Sequence, residues 1–421
     1  MARRDLSEIL RTETAGLHQR LETLPFFTAL HAGTLHRVSI VSYLRCLLII
    51  HAVLERSLVS SAPLAELGRH APAKVPLLVA DLDALGAGNF PSLSAPMRAA
   101  LNYAAAIAAS GDDPLTLMGV LYVLEGSQNG GVVLQHAYAQ CLGVPQQRLS
   151  YIGCYGQGTA AHWKGFIECL NARALDEHQV QEVAQAATRC FERLAAIFAG
   201  LDPYGEYDLK HPVSAINLEA GDHAMPQNPL DIAVALRVGA DMWVRYPYLE
   251  QRFGERGKRF TSSDSCWLVA LTEMSVESAT WNLDWLRTFL ASRGIPTTIL
   301  EEHLTALSRE LAVGSPGAPQ PCAHYERFLS RRAAERQALL DGSVTQLIDE
   351  FERRLRSCAG LTVDSAAHLV TSAWVDERSG LHGALGAVRD WFVDTGRFSS
   401  DWIASVNELV QRLDQAVKPS R

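Results

Sequence analysis

Residues 115–142 read LTLMGVLYVLEGSQNGGVVLQHAYAQCL, a helical pattern with Gly126, Gly130 and Gly131 in its middle. Asp112-Asp113-Pro114 in front of it supplies a capping carboxylate and a proline for the first turn. A glycine inside a helix costs roughly 1 kcal/mol relative to alanine, so the three together cost about 3 kcal/mol. Total stability is only about 5–15 kcal/mol, so something must offset that loss. Gly126 and Gly130 stand four apart on one face, which suits close helix–helix packing. Alternatively, the helix kinks and lays bare backbone against a flat ligand. A membrane GxxxG face does not fit, because Glu125, Ser127, Gln128 and Asn129 are interspersed.

Working outward, Leu6, Ile9, Leu10, Leu17, Leu21 and Leu24 form the stripe of an amphipathic first helix. His18 sits beside this stripe rather than on the solvated face. A lone histidine there is usually a hydrogen-bonded packing residue. Here Glu22 lies one turn on, where it can orient an imidazole as the outer partner of a metal-binding histidine. Arg11, two turns back on the same face, suits a carboxylate.

Together these two segments resemble haem oxygenases, particularly the bacterial type. The first helix matches the pattern T-x-x-LH-x-x-LE through Thr14, Leu17-His18 and Leu21-Glu22, and residues 122–131 match YVLEGS-x-x-GG. YLRCLLIIHAVLE (43–55), LLVADLDALG (77–86) and YGQGTAAHWKGFIECL (155–170) follow the family's segments in order, so the resemblance spans about residues 5–200. It implies an all-α, haem oxygenase-like domain that opens haem to biliverdin, carbon monoxide and iron. Haem is then both substrate and cofactor, dioxygen the oxidant, and a separate reductase or ferredoxin-like protein the external electron donor. By the same resemblance His18 is the proximal iron ligand with Glu22 beside it. Gly126, Ser127, Gly130 and Gly131 form the catalytic distal kink, and Arg11 and Tyr122 contact a haem propionate. The amides of Gln128-Asn129 depart from the family pattern. Pointing inward they would bear on ring orientation; outward, the favoured direction, they would be inert.

The bulk properties fit an enzyme rather than a nucleic-acid binder. At 421 residues two domains are expected, and a net charge of −8 lacks the clustered positive potential that phosphate backbones require. The basic start MARRDLSEIL has no apolar run for a signal peptide, and no 18-residue apolar run occurs; Leu44 to Leu54 already contains Arg45 and His51. The eight cysteines show no CxxC spacing and read as reduced thiols, so a cytoplasmic protein with no membrane partner is expected. The other chemistries considered lack their motifs: no Glu-x-x-His, GxGxxG, GxxxxGK[ST] or GxSxG occurs. His31, His36, His51 and His70 show no metal-ligand spacing, while His136 reads as a helix-surface and His162 as a packing residue, with the pocket rim as the alternative for either.

The expected organisation is a haem oxygenase-like domain over 1–205, a linker or covering loop over 206–230, and a helical domain of unknown function over 231–421. Helical periodicity in the second half runs over 231–246, 265–272, 278–292, 299–311, 322–357 and 401–417, with caps at Ser263-Asp264 and Ser399-Ser400-Asp401 and a stop at Gly294-Ile295-Pro296. RYPYLEQRFGERGKRF (245–260) reads as a solvated helix end and glycine turn, Trp281 and Trp285 as core or interface, and His303 as a lone helical histidine. The length of this half, which the resemblance does not need, motivates an alternative: a non-catalytic haem- or bilin-binding sensor with the C-terminal domain as output.

Overall fold

The computed structural model describes residues 5–314, 322–340 and 342–416. Among these residues the chain is all-α, with one isolated antiparallel bridge between Gly360 and Phe398. It divides into two compact units, 1–237 and 238–421.

The first unit holds α1 (Leu6–Glu22), α2 (Pro25–His31), α3 (Arg37–Ser60), α4 (Ala65–Arg69), α5 (Val75–Ala84), α6 (Ser94–Ala109), α7 (Pro114–Leu142), α8 (Thr159–Asn171), α9 (Glu177–Leu201) and α10 (Glu206–Lys210); α11 (Pro229–Arg245) runs across the division. At the start of α7, Asp113 accepts hydrogen bonds from the amides of Leu115 and Thr116, and Gly143 ends the helix at φ 64°. Asp176 and Gln179 form a capping box on α9. α3 is apolar nearly all round and is long and apolar enough by composition to cross a membrane. Its Ile40, Leu44, Ile49 and Val53 are fully buried here, as the central helix of a core needs.

Close packing of α7 on α9 depends on a glycine outside the quoted triplet. A Cβ on Gly119 would lie 2.6 Å from both Ala186 Cβ and the Val183 carbonyl oxygen. The sequence reading ends the first domain at 205 and begins the second at 231, whereas residues 206–237 fold into the first unit. Asp208 accepts from Ser94 Oγ at 2.8 Å, Arg98 donates to the Ala215 carbonyl, and Arg237 bonds Ser57 Oγ and Asp112 at 2.8 and 2.9 Å.

The second unit comprises the end of α11, α12 (Pro247–Ala270), α13 (Val276–Ser292), α14 (Thr297–Gly314), α15 (Cys322–Leu339), α16 (Gly342–Arg356), α17 (Ala366–Arg378), α18 (Ala384–Phe392) and α19 (Ser400–Ala416). Its core gathers Phe351, Trp374, Phe392, Phe398 and Trp402. Several expectations are corrected. The single run over 322–357 is two helices, and Ser263-Asp264 lie inside α12 rather than capping a helix. The glycine turn of 245–260 is a break at Gly254 (φ 53°, ψ −156°) within α12. Trp281 and Trp285 are exposed, at 68% and 46%, and are not core. His303 is buried with its Nε2 3.0 Å from Ser265 Oγ. Val417 and the side chain of Cys322 lie outside the described residues.

Candidate functional site

The first unit encloses a cavity of about 460 Å³, inside the usual range of about 300–1,000 Å³ for small-molecule sites. One wall is α1. Along it Leu6, Leu10 and Thr14 are buried, and the next residue on the same four-residue row is His18, whose side chain is 59% exposed. The row that packs the helix thus runs off the core and into open space at His18. The His18 ring meets Phe191 edge-on at 5.8 Å, and its Nδ1 lies 3.6 Å from Glu22 Oε1. Arg11 and Tyr122 line the same cavity. Burial raises the Tyr122 phenol, opposed by the charge of Arg11 and a hydrogen bond with Thr14.

The other wall is α7. Gly126, Ser127, Gly130 and Gly131 all line the cavity, on a helix that is continuous from Pro114 to Leu142. The three glycines do different things. A Cβ on Gly126 would meet the Trp163 ring at 3.3 Å, and one on Gly131 would meet the Gly153 amide nitrogen at 3.3 Å. A Cβ on Gly130 would meet nothing within 4 Å. Protein packing therefore explains two of the glycines, while Gly130, an exposed residue, leaves bare backbone at the cavity. Ser127 Oγ donates to the Leu124 carbonyl at 2.7 Å.

Gln128 corrects the expected outward pair. It is buried, lines the cavity, and accepts from Cys154 Sγ at 3.5 Å. Asn129 instead turns its amide back onto the Gly126 carbonyl at 3.1 Å. Phe27, Tyr43, Tyr138, Leu194 and Phe198 close the floor; these were not singled out in the sequence because they come from α2, α3, α7 and α9 and read there only as core positions. Burial pushes the Tyr43, Tyr138 and Tyr151 phenols upward, so these hydroxyls stay protonated.

Buried polar groups stand behind the distal wall. Glu125, one residue before Gly126, receives Lys74 Nζ at 2.7 Å and the Tyr155 hydroxyl at 2.7 Å, with His162 Nε2 at 3.3 Å. Lys74 and Glu125 side chains are only 2% and 3% exposed. His162 stacks on Tyr155 with ring centroids 3.6 Å apart, and burial lowers its pKa against the pull of Glu125. Asp81, from the 77–86 segment, accepts the amides of Ser150 and Tyr151 at 2.6 and 2.9 Å and so fixes the loop that puts Tyr151 and Ile152 on the cavity. The Tyr151 hydroxyl lies 3.2 Å from His51 Nε2 and is also hydrogen-bonded with Gln128. Burial, with Lys74 nearby, lowers the His51 pKa to about 3. His136, by contrast, is exposed and meets Gln146 at 2.8 Å.

All eight residues assigned to the site by resemblance thus border one cavity, although they come from two helices about a hundred residues apart. The cavity also suits a flat apolar ligand with acidic edges: an aromatic floor, an exposed imidazole, an open backbone strip at Gly130 and a cation at Arg11.

A search among curated proteins finds no match. The solved structure of a haem oxygenase from Leptospira interrogans aligns at 19% identity and a TM-score of 0.41, over 47% of this chain and 99% of that one. The family model for haem oxygenase matches residues 4–200 of this chain.

Proposed function

We propose that the first unit is a haem oxygenase that opens haem with dioxygen to biliverdin, carbon monoxide and iron, drawing electrons from a separate cytoplasmic reductase or ferredoxin-like donor. The observation that carries this reading is the cavity bordered by His18 on α1 and by the bare backbone of Gly130 on α7. When bound, haem would supply the iron at which dioxygen is reduced and the ring that is opened. His18 would hold the haem iron through Nε2, with Glu22 beside Nδ1 orienting the imidazole. Arg11 and the Tyr122 hydroxyl hold an acidic edge of the ligand. Gly130 keeps the opposite face free of side chains, and the Ser127 hydroxyl passes protons at Oγ. The neutral aromatic floor excludes water and orients the ring.

Titration with haemin should give a Soret band of a histidine-ligated haem. Adding reductant under air should then bleach it with formation of a bilin. His18→Ala should lose the imidazole-ligated spectrum and recover it with added imidazole. A Soret band that persists with competent reductant and oxygen would sink the catalytic assignment, and an unchanged His18→Ala spectrum would sink the ligand assignment.

A further inference from the structure

The second unit contains a cavity of its own, about 90 Å³, with walls from α13, α14, α15, α16 and α17. That is room for several waters or one small molecule, since a single water needs about 10–15 Å³. Its lining is charged. Arg287 is buried and donates to Thr297 Oγ1 at 3.0 Å and to Asp376 at 3.1 Å. Asp376 also accepts the Thr297 amide at 2.9 Å, so these groups are committed to holding α14 on α17. Arg336 pairs with Glu301 at 2.6 Å.

Arg332 differs from these. It is 5% exposed and its Nη2 meets Glu335, yet its Nε and Nη1 have no hydrogen-bond partner among the described residues. One turn along α15, Glu335 Oε2 is likewise buried without a hydrogen bond, with Arg287 Nη2 as an ion-pair partner at 3.6 Å, and the Thr371 hydroxyl on α17 is also without a hydrogen bond. All three residues border the cavity. Buried polar atoms are almost always satisfied, so unmet donors and an unmet acceptor around one small space mark a place where something polar belongs.

We propose that this cavity binds a small zwitterion of the α-amino-acid class, its carboxylate on Arg332 and Thr371 and its ammonium on Glu335. The charge balance selects that class. Three arginines and three carboxylates line the space, so a lone anion meets Glu301, Glu335 and Asp376, and a lone cation meets Arg287, Arg332 and Arg336. An apolar occupant would leave the unmet atoms desolvated. A zwitterion satisfies the donors and the acceptor at once and brings no net charge into the site. Arg336 and His368, 38% and 56% exposed, give the cavity its access to solvent.

Isothermal titration of the full chain with glycine, L-alanine and L-serine tests this, with acetate, methylammonium and inorganic phosphate as controls. An amino acid should bind saturably in about the micromolar-to-millimolar range expected for so few atoms, and each control should bind at least about tenfold more weakly. Arg332→Gln should abolish the heat. Thr371→Val, which keeps the side-chain shape if the arginine variant fails to fold, should weaken binding about tenfold. Silence with all three amino acids would mean a water-filled cavity and overturn the proposal. So would phosphate or acetate binding as tightly as the amino acids, or amino-acid binding unchanged in Thr371→Val.

Discussion

The two cavities of this chain are built from the same kind of element and have opposite interiors. In the first unit the charged pair Lys74–Glu125 is buried behind α7, and the cavity itself is floored by Phe27, Tyr43, Tyr138 and Phe198. In the second unit Arg287, Arg332, Glu335 and Asp376 line the space directly. The difference lies in which face of a helix carries the charge. Charges behind a wall stiffen it and leave the pocket fit for a large apolar ligand, whereas charges on the wall restrict the pocket to a small polar one.

The comparison breaks most visibly at the buried pair. Lys74→Met should destabilise the first unit by about 3–5 kcal/mol, because Glu125 would remain buried without its cation. Chemical denaturation measures this, and a loss below about 1 kcal/mol would show that the pair does not brace the wall. Next comes the open backbone. Gly130→Leu should leave the fold intact but weaken haemin binding at least about 100-fold, or about 2.7 kcal/mol, since its Cβ points into free space rather than protein. Unchanged haemin affinity would move the ligand away from α7. Gly119→Ala, on the same helix, should do the reverse. It should cost about 1–3 kcal/mol of stability through overpacking against Ala186, with haemin affinity of the folded fraction retained.

In acid the two units should behave alike. Burial lowers His51 in the first unit to about 3 and His303 in the second to about 4. The unfolded chain binds a proton at each near pH 6.5 while the folded chain does not. Stability is therefore full above about pH 6.5 and falls on acidification toward those values, by about 1.4 kcal/mol per pH unit for each histidine. Denaturation at about pH 7 and 5 should show the slope, and His51→Gln should flatten the part belonging to the first unit; an unaltered slope in that variant would rule His51 out as its source.

Much of the first unit is legible without coordinates. The 3.6-residue stripes place α1 and α7, the family-like segments 43–55 and 155–170 fall on α3 and α8, and Asp113 caps α7 as its position before Pro114 suggests. In the second half the stripes locate α11, α13, α14 and α19, but α17 and α18 passed unread. Their buried residues, such as Val370 and Trp374, are recognisable as core only once α16 and α19 pack over them.

Local pattern decides where helices run, because periodicity and capping act over a few residues. It also placed His18, Glu22, Arg11, Tyr122 and the glycines together through their resemblance to one family. What only the tertiary structure decided depends on contacts between residues far apart. Gly119 rather than Gly126 or Gly130 admits the neighbouring helix, Gln128 turns inward, and the helices around the second cavity leave Arg332 with donors unmet among the described residues. The glycine-bearing stretch 115–142 shows both at once: its sequence announces a helix with a price in stability, and only the partners of each glycine say what that stability is exchanged for.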